Sequence, residues 1–445
     1  MAKRPLPLTK AKILEFRKAL AFVEGFSNIS FRKNYGREKK NPELFIRRTS
    51  QFLNLIGNPD KSFKFVHVTG TAGKGTVSTM IHNALVLEGK RVGLFTSPYT
   101  TTAIEKIKVN NLYISPQEFT QILNHLKPFI AKAQRNPVGG PSAFELFLAI
   151  ALLYFKKMKC EWVVLEAGLG GRYDATNVIK SPRVTAITNI DFDHTEILGK
   201  TLKEIALDKG GIIKKNSVFL TTETRPALLA IFKSLCRSKG ARFLEVSKQG
   251  NYHDKNLALA RKAAQIIGVS EKNIEQCLER TVLPCRFEKV SQSPTIILDG
   301  AHNRVKMRSV VTNLAKLKYQ KLFIILAVAN TNKDSKAAIK PLVPLADEVV
   351  LTSFSRGDQY SIHPKVILSE VNRFKRKGVA VKIIENPDQA LDYLLAKSNP
   401  KDCVLVTGSF FLAGQMRKRW YPEDLVLKHR KSFWLTKPKS DIMRV

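Results

Sequence analysis

The chain has 445 residues, of which 44% are hydrophobic, so it is long enough for two domains with packed cores. Its five cysteines form no C-x-x-C pair, which argues against a zinc site and a disulfide framework and favours a reducing, cytoplasmic location. The net charge of +37 is spread along the chain, so a chain-wide basic bias is favoured over specific nucleic-acid binding, while an anionic substrate stays open.

Two helices are predicted before the first strand. Apolar spacing indicates an amphipathic helix over residues 9–24, a polar loop over 27–40 and a second helix over 42–55. The charged N-terminus leads into no long apolar run, and no run of about 18 apolar residues occurs anywhere in the chain. The sequence therefore predicts neither a secretory signal nor a membrane span.

A strand, a glycine-rich turn and a helix are predicted over residues 65–87. The apolar run 65–68 reads as a buried strand, and the turn after it contains Gly70, Gly73 and Gly75. This is the context of a phosphate-binding loop, because glycines let backbone N–H groups surround phosphate oxygens at the N-terminus of a helix.

Two side chains in this turn suit phosphate chemistry. Lys74 can reach the β- and γ-phosphates of a nucleotide, and Thr76 can supply a hydroxyl to Mg²⁺. The spacing G-T-x-G-K-G-T departs from the common pattern G-x-x-x-x-G-K-[ST], so a simple tight turn between a strand and a helix is the alternative.

Polar residues follow three of the next predicted strands. The predicted elements are strands over 91–96, 162–165 and 184–188, a possible short strand over 105–110, and helices over 116–134 and 143–157, the last capped by Ser142. Ser97, Glu166 and residues 191–194 come directly after strands. The alternation predicts a parallel sheet in an α/β fold, whose ligands bind at the carboxyl ends of the strands, so we expect these residues beside the phosphate loop.

A second α/β region begins near residue 284. Its predicted strands cover 295–298, 322–328, 349–352, 379–384 and 403–406. The sequence therefore predicts two domains, residues 1–284 and 285–445, with a basic and poorly patterned tail from residue 422.

Four polar features each have a structural alternative. Glu166 can hold Mg²⁺ opposite the phosphate loop, or it can cap a helix or form a salt bridge. His194 can be a metal ligand or a base, or a structural histidine. Lys209, taken alone, reads as a solvated helix residue. Residues 299–302 can form a polar substrate clamp or only a turn.

The chain resembles folylpolyglutamate synthase and its relative dihydrofolate synthase, in the Mur ligase superfamily. The glycine-rich segment from Glu166 and the Asp-Phe-Asp-His-Thr segment are its most specific motifs. The matching segments keep the family's order and cover residues 68–76, 95–98, 105–110, 164–179, 187–199, 207–214, 298–303 and 406–409. The resemblance implies a P-loop, parallel-sheet ATP-binding domain followed by a smaller Rossmann-like domain that binds glutamate.

The resemblance also implies roles for individual residues. It assigns the phosphates of ATP to Thr71, Gly73, Lys74, Gly75 and Thr76, Mg²⁺ to Ser97, Glu166 and His194, and other nucleotide contacts to Asn256, Arg286 and Asp299. Lys209 matches a lysine that is carbamylated in this family. His302 and Ser409 match positions that help hold the incoming glutamate, and Lys74, Lys209 and His302 are the implied catalytic residues.

The implied activity is ATP- and Mg²⁺-dependent addition of L-glutamate to a folate through an acyl phosphate, with release of ADP and phosphate. Dihydropteroate is the competing acceptor, alone or beside folate. A Mur-type ligase of cell-wall precursors and a nucleic-acid-binding P-loop ATPase are the competing functions. The resemblance implies a monomer, and we expect no membrane or specific nucleic-acid partner. Ala72, Tyr99 and the loop over residues 26–40 depart from the family pattern, so the acceptor stays open.

Overall fold

The computed structural model describes residues 8–26, 42–246, 252–330, 336, 339–356 and 359–431. The chain divides into two compact units, one made of residues 1–99, 103–281 and 427–445, the other of 100–102 and 282–426. The predicted polar loop over 27–40 and most of the predicted tail lie outside the described residues. The described start of that tail is a helix over Glu423–His429, which its weak apolar pattern did not indicate.

The first unit is built on an eight-stranded sheet with the order β4-β3-β2-β5-β1-β6-β7-β8. The strands are β1 (Lys64–Thr69), β2 (Val92–Phe95), β3 (Ile107–Val109), β4 (Leu112–Tyr113), β5 (Trp162–Glu166), β6 (Pro182–Ile187), β7 (Val218–Thr221) and β8 (Arg242–Glu245). The pairs from β2 across to β8 are parallel, while β3 and β4 add an antiparallel edge. The predicted α/β class is therefore confirmed.

Helices cover both faces of this sheet. The described helices up to residue 280 are α1 (Lys10–Gly25), α2 (Glu43–Leu55), α3 (Lys74–Leu87), α4 (Pro116–Gln134), α5 (Ala143–Lys157), α6 (Thr195–Leu198), α7 (Leu202–Lys209), α8 (Pro226–Lys239), α9 (Tyr252–Ile266) and α10 (Glu271–Arg280). Short 3₁₀ helices lie at Pro59–Ser62, Ala103–Lys106, Ala175–Val178 and Gly210–Ile212. Within the described residues, no helix is both long and apolar enough to cross a membrane.

The central strand β1 shows why the sheet needs two helical layers. Val66 and Val68 are fully buried in the cluster that contains Val77 and Ile81 of α3. His67 points to the opposite face, where its Nε2 lies 2.8 Å from the hydroxyl oxygen of Thr176. Burial on both faces is what a continuous apolar run in a parallel sheet predicts.

A buried ion pair ties α2 to the N-terminus of α5. Ser142 caps α5 as predicted, because its hydroxyl accepts from Glu145 N at 3.4 Å while Glu145 Oε2 accepts from Ser142 N at 2.7 Å. Arg48 of α2 donates to both oxygens of the same carboxylate at 2.9 to 3.2 Å. Removing one partner would leave a buried unpaired charge, at a cost of about 3–5 kcal/mol.

The second unit has a six-stranded sheet with the order β15-β12-β11-β16-β10-β9. The strands are β9 (Glu288–Gln292), β10 (Thr295–Leu298), β11 (Leu322–Leu326), β12 (Glu348–Leu351), β15 (Ala380–Ile383) and β16 (Cys403–Thr407), and a separate pair is formed by β13 (Ser355–Arg356) and β14 (Gln359–Tyr360). The described helices that follow α10 are α11 (Arg304–Leu314), α12 (Pro364–Phe374), α13 (Pro387–Leu395), α14 (Phe410–Arg417) and α15 (Glu423–His429), with a 3₁₀ turn at Val343–Leu345. The five predicted strands are present, and the polar strand β9 adds an antiparallel edge that the sequence did not predict.

Candidate active site

The carboxyl ends of four neighbouring strands meet at one edge of the first unit's sheet. In spatial order these strands are β2, β5, β1 and β6, and all three adjacent pairs are parallel. Ser97 follows β2, Glu166 ends β5, the glycine-rich loop follows β1, and residues 188–194 follow β6. The topology thus brings to one edge the polar residues that the sequence placed at strand ends.

The glycine-rich loop depends on two left-handed residues. Gly70 has φ +148° and Gly73 has φ +82°, a region that side chains other than glycine rarely adopt. Gly73 is the N-cap of α3, so the helix begins at Lys74, three residues earlier than the predicted start at 77. Gly75 resembles a helix breaker in the sequence, which is why the sequence pattern predicts a loop over this first turn.

Backbone amides of the loop are fixed by the segment after β6. Thr71 N donates to Asn189 O at 3.0 Å, and Ala72 N donates to Asn189 Oδ1 at 2.9 Å. The hydroxyl of Thr71 donates to Asp191 O and accepts from Asp191 N, both at 3.0 Å. Thr71, assigned to phosphate by resemblance, therefore uses these contacts to hold the loop, and Asn189 is a loop-shaping residue that sequence reasoning missed.

Two lysine side chains converge on one carbonyl oxygen of the loop. Lys74 Nζ donates to Gly70 O at 2.9 Å, and Lys209 Nζ donates to the same oxygen at 3.4 Å. Lys209 is only 3% exposed, so its reading as a solvated residue is wrong. Burial, and then the charge of Lys74, lower the pKa of Lys209 from 10.5 to about 7.

The Glu166 carboxylate lies against the first turn of α3. It is 3% exposed, and its Oε2 accepts from Ser97 N at 3.0 Å. A Cβ atom placed on Gly75 would lie 3.3 and 3.4 Å from the two carboxylate oxygens. The glycine at position 75 therefore leaves room for an acidic group beside the loop, and Ser97 meets that group through its backbone.

His194 sits at the same edge in a left-handed conformation. Its φ is +49°, its side chain is 38% exposed, and its Nε2 lies 3.8 Å from Asp193 Oδ1. Within the described ranges, no group of three or more His, Cys, Asp or Glu side chains is arranged to hold a metal ion. Mg²⁺ prefers oxygen ligands and is often bound by one carboxylate together with phosphate oxygens and water. The Glu166 carboxylate therefore suits this ion better than the imidazole nitrogen of His194 does.

Helix α9 closes the other side of the glycine-rich loop. A Cβ atom on Gly73 would lie 2.5 Å from Asn256 Oδ1 and 2.7 Å from its Nδ2, and it would also meet the hydroxyl of Tyr252. Asn256, 3% exposed, is thus packed against the loop from 183 residues further along the chain. Tyr252, one turn earlier on the same helix, is a neighbour that no sequence motif indicated.

This packing gives a test of the loop. We expect Gly73→Ala to raise the KM for ATP by about tenfold or more, because the new methyl group combines a strained φ with a clash against Asn256. Gly89→Ala is a suitable control, since Gly89 also has a positive φ, +76°, but no atom within 4 Å of an added Cβ. Steady-state kinetics with varied ATP would measure both, and equal effects would show that backbone strain alone matters.

In the second unit, Asp299 organises the loop after β10. Its oxygens accept from Phe287 N at 2.6 Å and Ala301 N at 2.7 Å. Burial raises the pKa of Asp299, and the charge of Arg286 opposes that shift. The guanidinium of Arg286 lies 4.7 Å from the ring centre of Phe410. Asp299 and Arg286, both predicted nucleotide contacts, therefore belong to one local cluster.

His302 and Ser409 follow the neighbouring parallel strands β10 and β16. Since Gly300 O can only accept, His302 Nδ1 donates to it at 2.9 Å, which leaves Nε2 to accept from Lys306 Nζ at 2.9 Å. Ser409 caps α14 by accepting from Phe411 N at 3.1 Å. Lys306 is a further cation beside His302, and its position one helical turn after the histidine was the signal that could have revealed it.

Comparison with known proteins identifies related domains in both parts of the chain. The Mur ligase middle domain matches residues 68–282, and the Mur ligase glutamate ligase domain matches residues 285–410. The dihydrofolate synthase/folylpolyglutamate synthase of Bacillus subtilis (strain 168) is 30% identical over 425 residues, which cover 86% of this chain and 97% of that protein.

Two solved structures of folylpolyglutamate synthases are similar to this chain over most of its length. The crystal structure of folylpolyglutamate synthase from Thermotoga maritima has a TM-score of 0.72 and 27% identity, and the match covers 88% of this chain and 97% of that one. The folylpolyglutamate synthase of Mycobacterium tuberculosis, solved with ADP and AMPPCP, has a TM-score of 0.77 at 24% identity over 84% of this chain and 95% of that one, which shows a shared fold.

Proposed function

Because this chain belongs to the dihydrofolate synthase/folylpolyglutamate synthase family of Mur ligases and is an ATP-dependent ligase, we propose how its two parts divide the reaction. Residues 1–284 bind ATP, and residues 285–445 bind L-glutamate. The product is a folate extended by one glutamate through a new amide bond. The observation that carries this proposal is the convergence of Lys74 and Lys209 on Gly70 O, with the Glu166 carboxylate packed against Gly75 of the same loop.

The proposed first step is phosphoryl transfer. A carboxylate oxygen of the acceptor attacks the γ-phosphorus of ATP, the bond to the β-phosphate oxygen breaks, and an acyl phosphate and ADP form. Lys74, the first residue of α3, supports this step because its ammonium lies beside the loop at a helix N-terminus, where phosphate charge is favoured. The carbonyl of Gly70 positions that ammonium before the substrate arrives.

Glu166 is the residue we propose for Mg²⁺. Its buried carboxylate and the first helical turn with Thr76 offer the hard oxygen donors that this ion prefers, with phosphate oxygens and water as the other ligands. When bound, Mg²⁺ supplies charge neutralisation to the β- and γ-phosphates. The predicted ligation by Ser97 and His194, and the nucleotide contacts of Asn256, Arg286 and Asp299, stay predictions.

The proposed second step joins the amino acid. The neutral amine of L-glutamate attacks the acyl carbon and the C–N bond forms. The bond from that carbon to the bridging oxygen breaks, phosphate leaves with its electron pair, and the nitrogen releases one proton to phosphate or water. In the second unit, Lys306 offers an ammonium for a glutamate carboxylate, while His302 is fixed by Gly300 O as the Nδ1–H tautomer. Ser409 offers its hydroxyl from the next strand end. These three groups are the ones we propose for the incoming glutamate.

Two acceptors fit the family. The name of the Bacillus subtilis relative includes both the dihydrofolate synthase and the folylpolyglutamate synthase activity, which favours dihydropteroate as a second acceptor beside reduced folate. We propose reduced folate as the main acceptor, in a monomeric enzyme of the cytoplasm. No specific nucleic-acid or membrane partner is part of this proposal.

The experiment that tests it is ADP release by the purified protein with ATP, Mg²⁺ and L-glutamate. It is run separately with tetrahydrofolate, with dihydropteroate and with no acceptor. We expect release with tetrahydrofolate and none without acceptor, and release with both acceptors would show a bifunctional enzyme. If neither acceptor stimulates release, the folate assignment is wrong, and the product of any glutamate-dependent turnover would then be sought among cell-wall precursors.

A further inference from the structure

A strongly basic cavity lies in the first unit and takes no part in the chemistry described above. It has a volume of about 630 Å³ and is lined by α2, by the loop before the 3₁₀ helix Ala175–Val178, and by the chain on both sides of β7. Its charged lining residues are Arg47, Arg172, Lys214, Lys239 and the single carboxylate Glu43. We call this space the basic cavity.

The two lysines of the basic cavity are held by backbone carbonyl groups. Lys214 Nζ donates to Asn177 O at 3.2 Å, and Lys239 Nζ donates to Ile213 O at 2.8 Å. Among the residues that the structure describes, none of the four cations forms an ion pair within 4 Å. Four positive charges and one negative charge therefore share a half-enclosed space with a large excess of positive potential.

The cations also repel one another. Burial and then the charge of Lys239 lower the pKa of Lys214 from 10.5 to about 8. The pKa of Lys239 is lowered by burial and then by the charge of Arg172. Crowding of like charges costs stability, and an anion placed among them would relieve it.

One wall of the basic cavity is the segment that carries Lys209. A Cβ atom on Gly211 would lie 2.5 Å from the Cα and Cβ atoms of Arg172, and one on Gly171 would lie 2.7 Å from Lys209 O. Arg172 N also donates to Asp208 O at 2.8 Å. The backbone of Arg172 is thus packed against the chain immediately next to a proposed catalytic residue.

We propose that the basic cavity is a binding site for a small anion that carries two or more carboxylate or phosphate groups. Spaced cations on α2, on the 172–177 loop, before β7 and at the end of α8 match several separated negative charges better than a single one. Two sources share this chemistry, the glutamate chain of a folate and a free phosphate-bearing metabolite. The first source rests on the proposed function, while the binding site itself does not.

The test compares two pairs of substitutions that remove the same charge from the same parts of the chain. The test protein is Lys214→Gln/Lys239→Gln. The control is Lys215→Gln/Arg237→Gln, since Lys215 and Arg237 are exposed neighbours that do not line the cavity. Calorimetric titrations use γ-linked triglutamate and inorganic pyrophosphate as probes, with saturating ADP and Mg²⁺ present so that the phosphate loop is already occupied.

We expect at least one probe to bind the wild-type protein saturably. Its affinity for the test protein should be lower by about tenfold or more, and its affinity for the control should stay within about twofold of the wild-type value. The affinity should fall as salt is added. Absence of saturable binding by both probes, or equal weakening in the test and control proteins, would overturn the proposal. Arg47→Gln, on an exposed position of α2, repeats the test if the double variant does not fold.

A kinetic arm separates the two sources. If the folate chain occupies the basic cavity, the test protein should show a raised KM for tetrahydrofolate with three glutamates and an unchanged KM for the monoglutamate. Tighter binding of pyrophosphate, with no such change in KM, would assign the site to a phosphate-bearing ligand. The binding arm needs no turnover, so failure of the proposed ligase activity would leave its result intact.

Discussion

Replacing Lys74 by methionine is expected to lower kcat for acceptor-dependent ADP release by about a thousandfold. Methionine keeps most of the side-chain volume but removes the ammonium that Gly70 O positions at 2.9 Å. Charge on the transferred phosphoryl group is stabilised mainly by fixed cations and N–H groups, and loss of one such group costs about 10²–10³ in rate. Steady-state kinetics at saturating ATP would measure the effect on kcat separately from that on KM.

Lys61→Met is the matched control for this variant. Lys61 is an exposed lysine that precedes β1, so its replacement removes the same charge from the same unit without touching the loop. We expect its kcat to stay within about twofold of the wild-type value. Retention of more than a tenth of the activity by Lys74→Met would contradict the assignment of this loop to the γ-phosphate.

The sequence could predict the edge of the sheet that carries the site because strand ends are local features. Ser97 and Glu166 each end an apolar run, and parallel pairing then brings such ends together without further information. Family resemblance supplied the roles of single residues. The residue pattern alone could not decide whether Glu166 is a metal ligand or a helix cap.

Local sequence patterns could not predict contacts between distant parts of the chain. Lys209 reads as solvated because α7 is short and polar, and only packing of residues 208–211 on the 171–172 loop buries it. The contact of Asn256 and Tyr252 with Gly73 joins elements far apart in the sequence. The basic cavity could not be predicted for another reason. The chain has 74 Lys and Arg residues, so four of them do not stand out in the sequence.

Lys209→Ala is expected to lower kcat by about a hundredfold or more. The control is Lys203→Ala, which replaces an exposed lysine on the same helix, and its kcat should stay within about twofold of the wild-type value. The reason is that an alanine removes both the donor to Gly70 O and the amine that we propose becomes carbamylated. In that modification the neutral amine nitrogen attacks CO₂, the N–C bond forms, and one proton is released. The product is a carbamate anion, and Lys74 lies at the same carbonyl oxygen with the opposite charge.

The pH dependence of the modification separates the two possible states of Lys209. With a pKa of about 7, about half of the Lys209 side chains are neutral at pH 7 and about a tenth at pH 6, so labelling by ¹³C-bicarbonate should rise from pH 6 to pH 8. Lys74→Met removes a like charge, so it should raise the pKa of Lys209 and move the midpoint of labelling to higher pH. Nuclear magnetic resonance would detect a carbamate carbon that is lost in Lys209→Ala. If the wild-type enzyme is fully active at pH 8 without that signal, the proposed carbamylation is wrong, and Lys209 then acts through its unmodified amine as the donor to Gly70 O.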